Sequence, residues 1–205
     1  MTGPAPVVFV VDDDPSVGKA LARLFRSAGL GVEVYTSARE FLGRETQDVP
    51  GCLVLDLKMP GIGGLDLQRD LKAAGVEIPI VFLTGHADVP ASVKAMKAGA
   101  VDFLEKPFEG ARLLEVVRAA VEKDLRAREE RAEVAAVRRR VESLTPRERE
   151  VFDPFFKGML NKQVAHALGN AEKTVKVHRA RVMRKMGADS LAELVRLALK
   201  AGVAT

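Results

Sequence analysis

Six residues whose types could do chemistry together stand at the ends of short apolar runs: Asp12, Asp13, Asp14, Asp56, Thr84 and Lys106. Crowded carboxylates repel one another and call for a cation, and hard oxygen ligands with positions left for water suit Mg2+. A hydroxyl and an ammonium facing the same point suit the oxygens of a phosphoryl group. The set therefore reads as a site where one carboxylate attacks phosphorus while the metal, Thr84 and Lys106 neutralise charge. Each feature alone is weak, because an aspartate after a strand is commonly a helix cap and a Lys-Pro dipeptide a turn. Their joint order along the chain carries the reading.

The elements that must position these groups are legible in the hydrophobic pattern. Five β-rich runs, VVFVV (7–11), VEVYT (32–36), CLVLD (52–56), PIVFLT (79–84) and VDFLE (101–105), alternate with helical patterns. Such alternation predicts a doubly wound α/β domain with a five-stranded parallel sheet, in which ligand chemistry falls at the carboxyl ends of the strands. Helices are predicted over 15–28, where Pro15 opens the first turn and Gly29 follows the last, near 64–74, and over 90–98 with Asp88 or Val89 at the cap. From Ala111 a helical pattern runs on without Gly or Pro until Pro146. Its stretch 122–143 is rich in charge, and its apolar residues thin to Leu125, Val134, Val137 and Val141. Two readings stay open for this linker: a solvated helical spacer, or a short coiled-coil seam.

The ordered series VVDDD, LVLDLKMPGIGG, IVFLTGHAD and VDFLEKPF resembles the receiver domains of two-component response regulators over residues 6–121. The resemblance implies that Asp56 is the phospho-acceptor. Asp12 and Asp13 would hold Mg2+ together with Asp56 and the backbone carbonyl of Lys58. Thr84 would be the switch hydroxyl, Phe103 the switch aromatic, and Lys106 the phosphate-facing lysine, joined to Pro107 by a cis bond. Asp14 is expected to be a solvated or helix-capping acid. His86, just after Thr84, is expected to serve loop conformation or partner contact rather than catalysis.

Charge is divided unevenly along the chain. Residues 1–143 carry 20 Lys/Arg against 22 Asp/Glu, whereas 144–205 carry 12 against 6, a net of +6. An acidic domain that handles a cation and a basic domain that meets a polyanion follow from this split. In the basic part, Thr145, Pro146 and Glu148 spell a capping box that opens a helix, and two helical segments, 161–168 and 172–186, are separated by Gly169, Asn170 and Ala171. A last helix is predicted over about 190–200. Within 172–187 there are six Lys/Arg and one acid, with Val175, Val182 and Met186 as a core stripe, so the polar face is basic and fits a DNA groove.

The run from LTPREREVF to SLAELVRLA resembles the LuxR-type helix-turn-helix of NarL/FixJ-type regulators over 144–202, closest to the FixJ branch. That makes the second domain all-α, with 161–168 as scaffold helix and 172–186 as recognition helix. Lys173, Thr174, Lys176, Val177, Arg179 and Arg181 are the implied DNA contacts, with Lys176 and Val177 at base edges. Asn161 and Lys162 are further backbone contacts. His178 is left open between DNA and the interior. Pro154 departs from the family pattern and, costing about 3 kcal/mol in an unrelieved helix, predicts a kink or early break that puts the packing of Phe155 and Phe156 in question.

The domains are thus expected at 1–121 (receiver), 122–143 (linker) and 144–205 (DNA-binding). The implied function is phosphotransfer from a sensor histidine kinase to Asp56, homodimerisation, and binding of promoter double-stranded DNA, with no enzymatic turnover of its own. An aspartyl-phosphate phosphatase is the competing class, and it is disfavoured because Lys58, not a general acid, stands two residues after the acceptor and no cap domain is apparent. Hydrophobic residues at 47% and charged residues at 29% are ordinary for a globular chain, no apolar run reaches about 18 residues, and the start lacks a secretory pattern. The expected location is cytoplasmic, without a membrane span. Lone Cys52, in an apolar strand, is expected to be a buried structural thiol.

Overall fold

The computed structural model describes residues 4–45, 48–85 and 89–203, which fall into two compact units divided at Arg128 and Glu129. In the first unit, strands β1 (Val7–Val11), β2 (Gly31–Tyr35), β3 (Gly51–Asp56), β4 (Ile80–Thr84) and β5 (Asp102–Glu105) form one parallel sheet in the order β2-β1-β3-β4-β5. Alternation along the strands sorts the core onto two faces. Phe9, Val11, Leu53, Leu55, Ile80 and Phe82 pack with Phe41, Leu67 and Ala95, which lie on helices α2 (Ala38–Leu42), α3 (Gly64–Ala73) and α4 (Val89–Lys97). Val8, Val10, Cys52, Val54, Val81 and Leu83 pack on the other face with Leu21 and Phe25 of α1 (Pro15–Ser27) and Leu113 and Val117 of α5 (Gly110–Glu142). The three central strands β1, β3 and β4 are buried on both sides, which explains their nearly unbroken apolar runs.

Register brings the strand ends level. Val11 faces Leu55 and Thr84 faces Glu105, so Asp12 after β1, Asp56 at the end of β3 and Lys106 after β5 reach one edge beside the end of β4. Gly64 lets α3 start against that edge, since a Cβ there would lie 2.4 Å from the Asp56 carbonyl oxygen. Burial pushes the Cys52 thiol up to about 12, consistent with an inert core residue. One helix escaped the sequence reading: α2 has five residues, too short for a periodic pattern.

The division between the units falls inside α5, within the segment 122–143 expected as linker. Asp124 is buried in the first unit, where its carboxylate accepts from Gly51 N–H at 2.9 Å and from Arg128 Nε at 2.7 Å. Val134, Val137 and Val141 join the core of the second unit, and the latter two are buried. Arg138 and Arg140 donate to the carbonyls of Ala201 and Met186 there. Val137 and Val141 are thus core residues of that unit, with Val134 partly buried beside them.

The second unit continues with α6 (Pro146–Phe156), α7 (Asn161–Ala167), α8 (Glu172–Met186) and α9 (Leu191–Lys200). The capping box at Thr145 and Glu148 is formed in both directions. Pro154 produces no early break. It stands two residues from the end of α6, so the only helical donation lost is the one that would have reached Glu150. Phe155 is buried, and Phe156 packs on Phe152 with ring centroids 6.2 Å apart. Gly187 closes α8 at φ 64°, a left-handed cap that suits glycine.

Candidate phosphoryl-acceptor site and nucleic-acid interface

The carboxyl edge of the sheet gathers two acids around one cation. Lys106 Nζ lies 2.7 Å from Asp12 Oδ2 and 2.8 Å from Asp56 Oδ1, with Asp12 only 2% and Asp56 6% exposed. The second oxygen of each acid is also held: Asp56 Oδ2 accepts from Lys58 N–H at 2.8 Å, and Asp12 Oδ1 from Asp14 N–H at 3.0 Å. Burial raises the Asp56 pKa, a push that the Lys106 hydrogen bond opposes. Burial works against the Lys106 charge, yet its bonds to Asp12 and Asp56 prevail and leave its pKa raised. The result is a carboxylate and an amine held against each other and partly stripped of water.

Thr84 is buried at the end of β4, and its carbonyl accepts from Lys106 N–H at 2.6 Å, which ties the fourth strand to the lysine. The Lys106–Pro107 peptide is cis. Phe103 is half-buried, its ring 6.3 Å from that of Phe82. Asp13 is exposed beside the pair and, among the described residues, no three His, Cys, Asp or Glu side chains converge as a ready metal cluster. Two carboxylates already sharing one cation still fit Mg2+, which commonly takes one or two carboxylates and completes its shell with water. Asp14 caps α1, accepting from Ser16 N–H at 2.7 Å and from its hydroxyl at 2.6 Å, and these bonds lower its pKa. His86 and Asp88 lie outside the described residues.

In the second unit α7 and α8 are joined by the turn Leu168–Ala171, with Gly169 at φ 62°. Val175, Val182 and Met186 of α8 are buried, and the opposite side carries Lys173, Val177, Arg181 and Arg184, all exposed. Thr174 and Lys176 flank this stripe in the open, and Lys176 pairs with Glu172 at 3.1 Å. Lys162 is exposed and Asn161 half-buried at the start of α7. The helix thus presents a basic face with one aliphatic group, suited to phosphates and a base edge. Arg184 was missed from sequence, although it lies seven residues after Val177 and three after Arg181, spacings that return to the same face.

Arg179 is placed differently from the other cations. It is half-buried, stacked over the Phe155 ring and bonded to Asn161. His178 is half-buried with Nδ1 sheltered and unpartnered among the described residues. Beneath the exposed face, Lys185 Nζ lies 2.6 Å from Glu148, which is 4% exposed, and 2.9 Å from the Ser143 carbonyl oxygen. Hydrogen bonding by Lys185 holds the Glu148 carboxyl down at about 2.

Comparison with known proteins finds a family match for each unit. Residues 8–118 match the response regulator receiver domain and residues 142–198 match the bacterial regulatory proteins of the luxR family. Nodulation protein W of Bradyrhizobium diazoefficiens is 50% identical over 197 residues, covering 96% of this chain and 87% of that protein. The solved structure of the response regulator StyR is 46% identical with a TM-score of 0.89, covering 96% of this chain and 100% of that one. Full-length FixJ from B. japonicum is 42% identical with a TM-score of 0.57, covering 97% and 98%. No helix among the described residues is long and apolar enough to cross a membrane. With both domains matched and relatives similar along almost their whole length, the chain belongs to the two-component response regulators of the FixJ type, in which a receiver domain is joined to a LuxR-type DNA-binding domain.

Proposed function

We propose that the chain relays a signal from a sensor histidine kinase to promoter DNA, with Asp56 as the phospho-acceptor. The observation that carries this reading is the Lys106 ammonium held between buried Asp12 and Asp56 at the carboxyl edge of the sheet, beside the end of β4. In the transfer an Asp56 oxygen attacks phosphorus and the phosphorus–nitrogen bond to the kinase imidazole breaks. The bonding pair leaves with the imidazole, and an acyl phosphate forms. Lys106 and the Lys58 amide orient the attacking carboxylate and counter its charge. Asp12, Asp13, Asp56 and the Lys58 carbonyl are the groups that would hold Mg2+, which when bound supplies positive charge to the phosphoryl oxygens. The Thr84 hydroxyl then meets the phosphoryl group, and the Phe103 ring follows it inward. The location that fits this role is the cytoplasm.

The output is dimerisation and DNA binding. Val89, Val93 and Met96 on α4 are 68%, 46% and 45% exposed and recur at one helical face, which supports the α4–β5 surface as the contact made on phosphorylation. Two copies of α8 then read two half-sites, with Lys176 and Val177 toward base edges and Lys173, Thr174, Arg181 and Lys162 toward phosphates. Sedimentation of the full chain with beryllofluoride and Mg2+ tests this: mass should rise toward two chains as DNA affinity rises. A monomer that gains DNA affinity would replace dimerisation with release of an inhibitory contact. A complete dimer without the mimic would overturn the switch, and the burial of Val137 and Val141 weighs against that outcome.

A further inference from the structure

Among the cations of α8, Arg179 already has its guanidinium engaged within the protein. Its guanidinium carbon lies 3.8 Å from the centroid of the Phe155 ring, and Nη1 donates to Asn161 Oδ1 at 3.0 Å. Phe155 is a buried residue of α6 and Asn161 opens α7, so this one side chain on α8 joins three helices. Its place on the helix agrees: four residues after Val175 and three before Val182, it shares their inward side, whereas Lys173, Arg181 and Arg184 face outward. A planar guanidinium stacks on an aromatic face and keeps its fork for a carbonyl oxygen, which a lysine ammonium does not do.

We infer that Arg179 is a positioning residue of the DNA-binding unit, fixing the Asn161 side chain and the pairing of α7 with α8 rather than lending its charge to a phosphate. This rests on the reading of α8 as the DNA-facing helix. With its amide oxygen committed to Arg179, Asn161 turns its NH2 group to the role of donor, and a phosphate oxygen is a suitable acceptor. Loss of Arg179 therefore frees Asn161 to rotate and loosens the helix pair, without removing a counterion-releasing contact.

The two roles differ in how affinity depends on salt. Binding of the full chain to a mixed-sequence DNA duplex, followed by fluorescence anisotropy over a KCl series, loses about 0.9 from its log–log slope for each phosphate contact removed. Arg181→Ala should lose that increment. Arg179→Ala should weaken binding about tenfold, the scale of one charge-assisted hydrogen bond, with the slope unchanged. Arg179→Lys should not restore affinity, and the Arg179→Ala, Asn161→Ala double variant should bind no worse than Arg179→Ala. A slope reduced by about 0.9 in Arg179→Ala, or full affinity in Arg179→Lys, would overturn the inference. Should Arg179→Ala melt below the assay temperature, Arg179→Lys and Asn161→Ala decide by the same two readouts. Absence of salt-dependent binding in the unaltered chain with beryllofluoride and Mg2+ present would instead refute the reading of α8 itself.

Discussion

Glu148→Gln is the perturbation whose size the structure defines best. Glu148 is buried at the N3 position of α6, closes the capping box with Thr145, and receives the Lys185 ammonium from α8 at 2.6 Å. Its carboxyl sits at about 2 against an ordinary 4.5, so the folded unit favours the ionised form by roughly 3 kcal/mol at about 1.4 kcal/mol per pH unit. Lys185 is 34% exposed, so solvent and salt screen part of this, and a loss of about 1 to 3 kcal/mol is expected at neutral pH. Glutamine keeps a side-chain oxygen for the cap, which isolates the ion pair, whereas Glu148→Ala should cost about 1 kcal/mol more. Because the folded value lies below the unfolded one, the contribution is complete above about pH 4.5 and is lost as pH falls toward 2. Hydrogen exchange of the full chain in a urea series, read on peptides of α6 and α8, should show Glu148→Gln opening more readily at pH 7 and converging on the unaltered chain toward pH 2. Equal protection at pH 7, or a gap that persists at pH 2, would refute the reasoning.

Two further perturbations address the acceptor site. Lys106→Met removes the cation between two buried carboxylates and should destabilise the first unit by about 2 to 3 kcal/mol in a thermal scan without metal. Added Mg2+ should then recover more stability in the variant than in the unaltered chain, and equal recovery would count against a shared cation site. Gly64→Ala places a Cβ 2.4 Å from the Asp56 carbonyl oxygen and 3.0 Å from the Phe82 ring, so a loss of about 1 to 3 kcal/mol and slower labelling by acetyl phosphate are expected; normal labelling would show that the edge can give way.

The central strands and the acidic edge were legible because strands buried on both faces must be apolar throughout, which leaves Asp12 and Asp56 as conspicuous interruptions. The helix α2 was hidden by its length, although Ser37 followed by Glu40 spells a start signal, and Glu40 N–H does bond Ser37 Oγ at 3.2 Å. The packing of the segment 122–143 was hidden for a different reason. Its many charges look solvated, yet Val134, Val137 and Val141 at helical spacing are core residues, and Arg138 and Arg140 use their guanidinia to cap the carbonyls of Ala201 and Met186. On α8 composition could say only that the helix is basic. Which cations point outward depends on helical phase, which separates Arg181 and Arg184 from Arg179.

The central claim, that Asp56 carries the phosphoryl group, is tested most directly by labelling the full chain with acetyl phosphate and Mg2+ and locating the label by peptide mass spectrometry. The account predicts one acid-stable, base-labile acyl phosphate on the peptide containing Asp56, and none in Asp56→Asn. Undiminished labelling of Asp56→Asn, or a label on Asp12 or Asp13 in the unaltered chain, would contradict it.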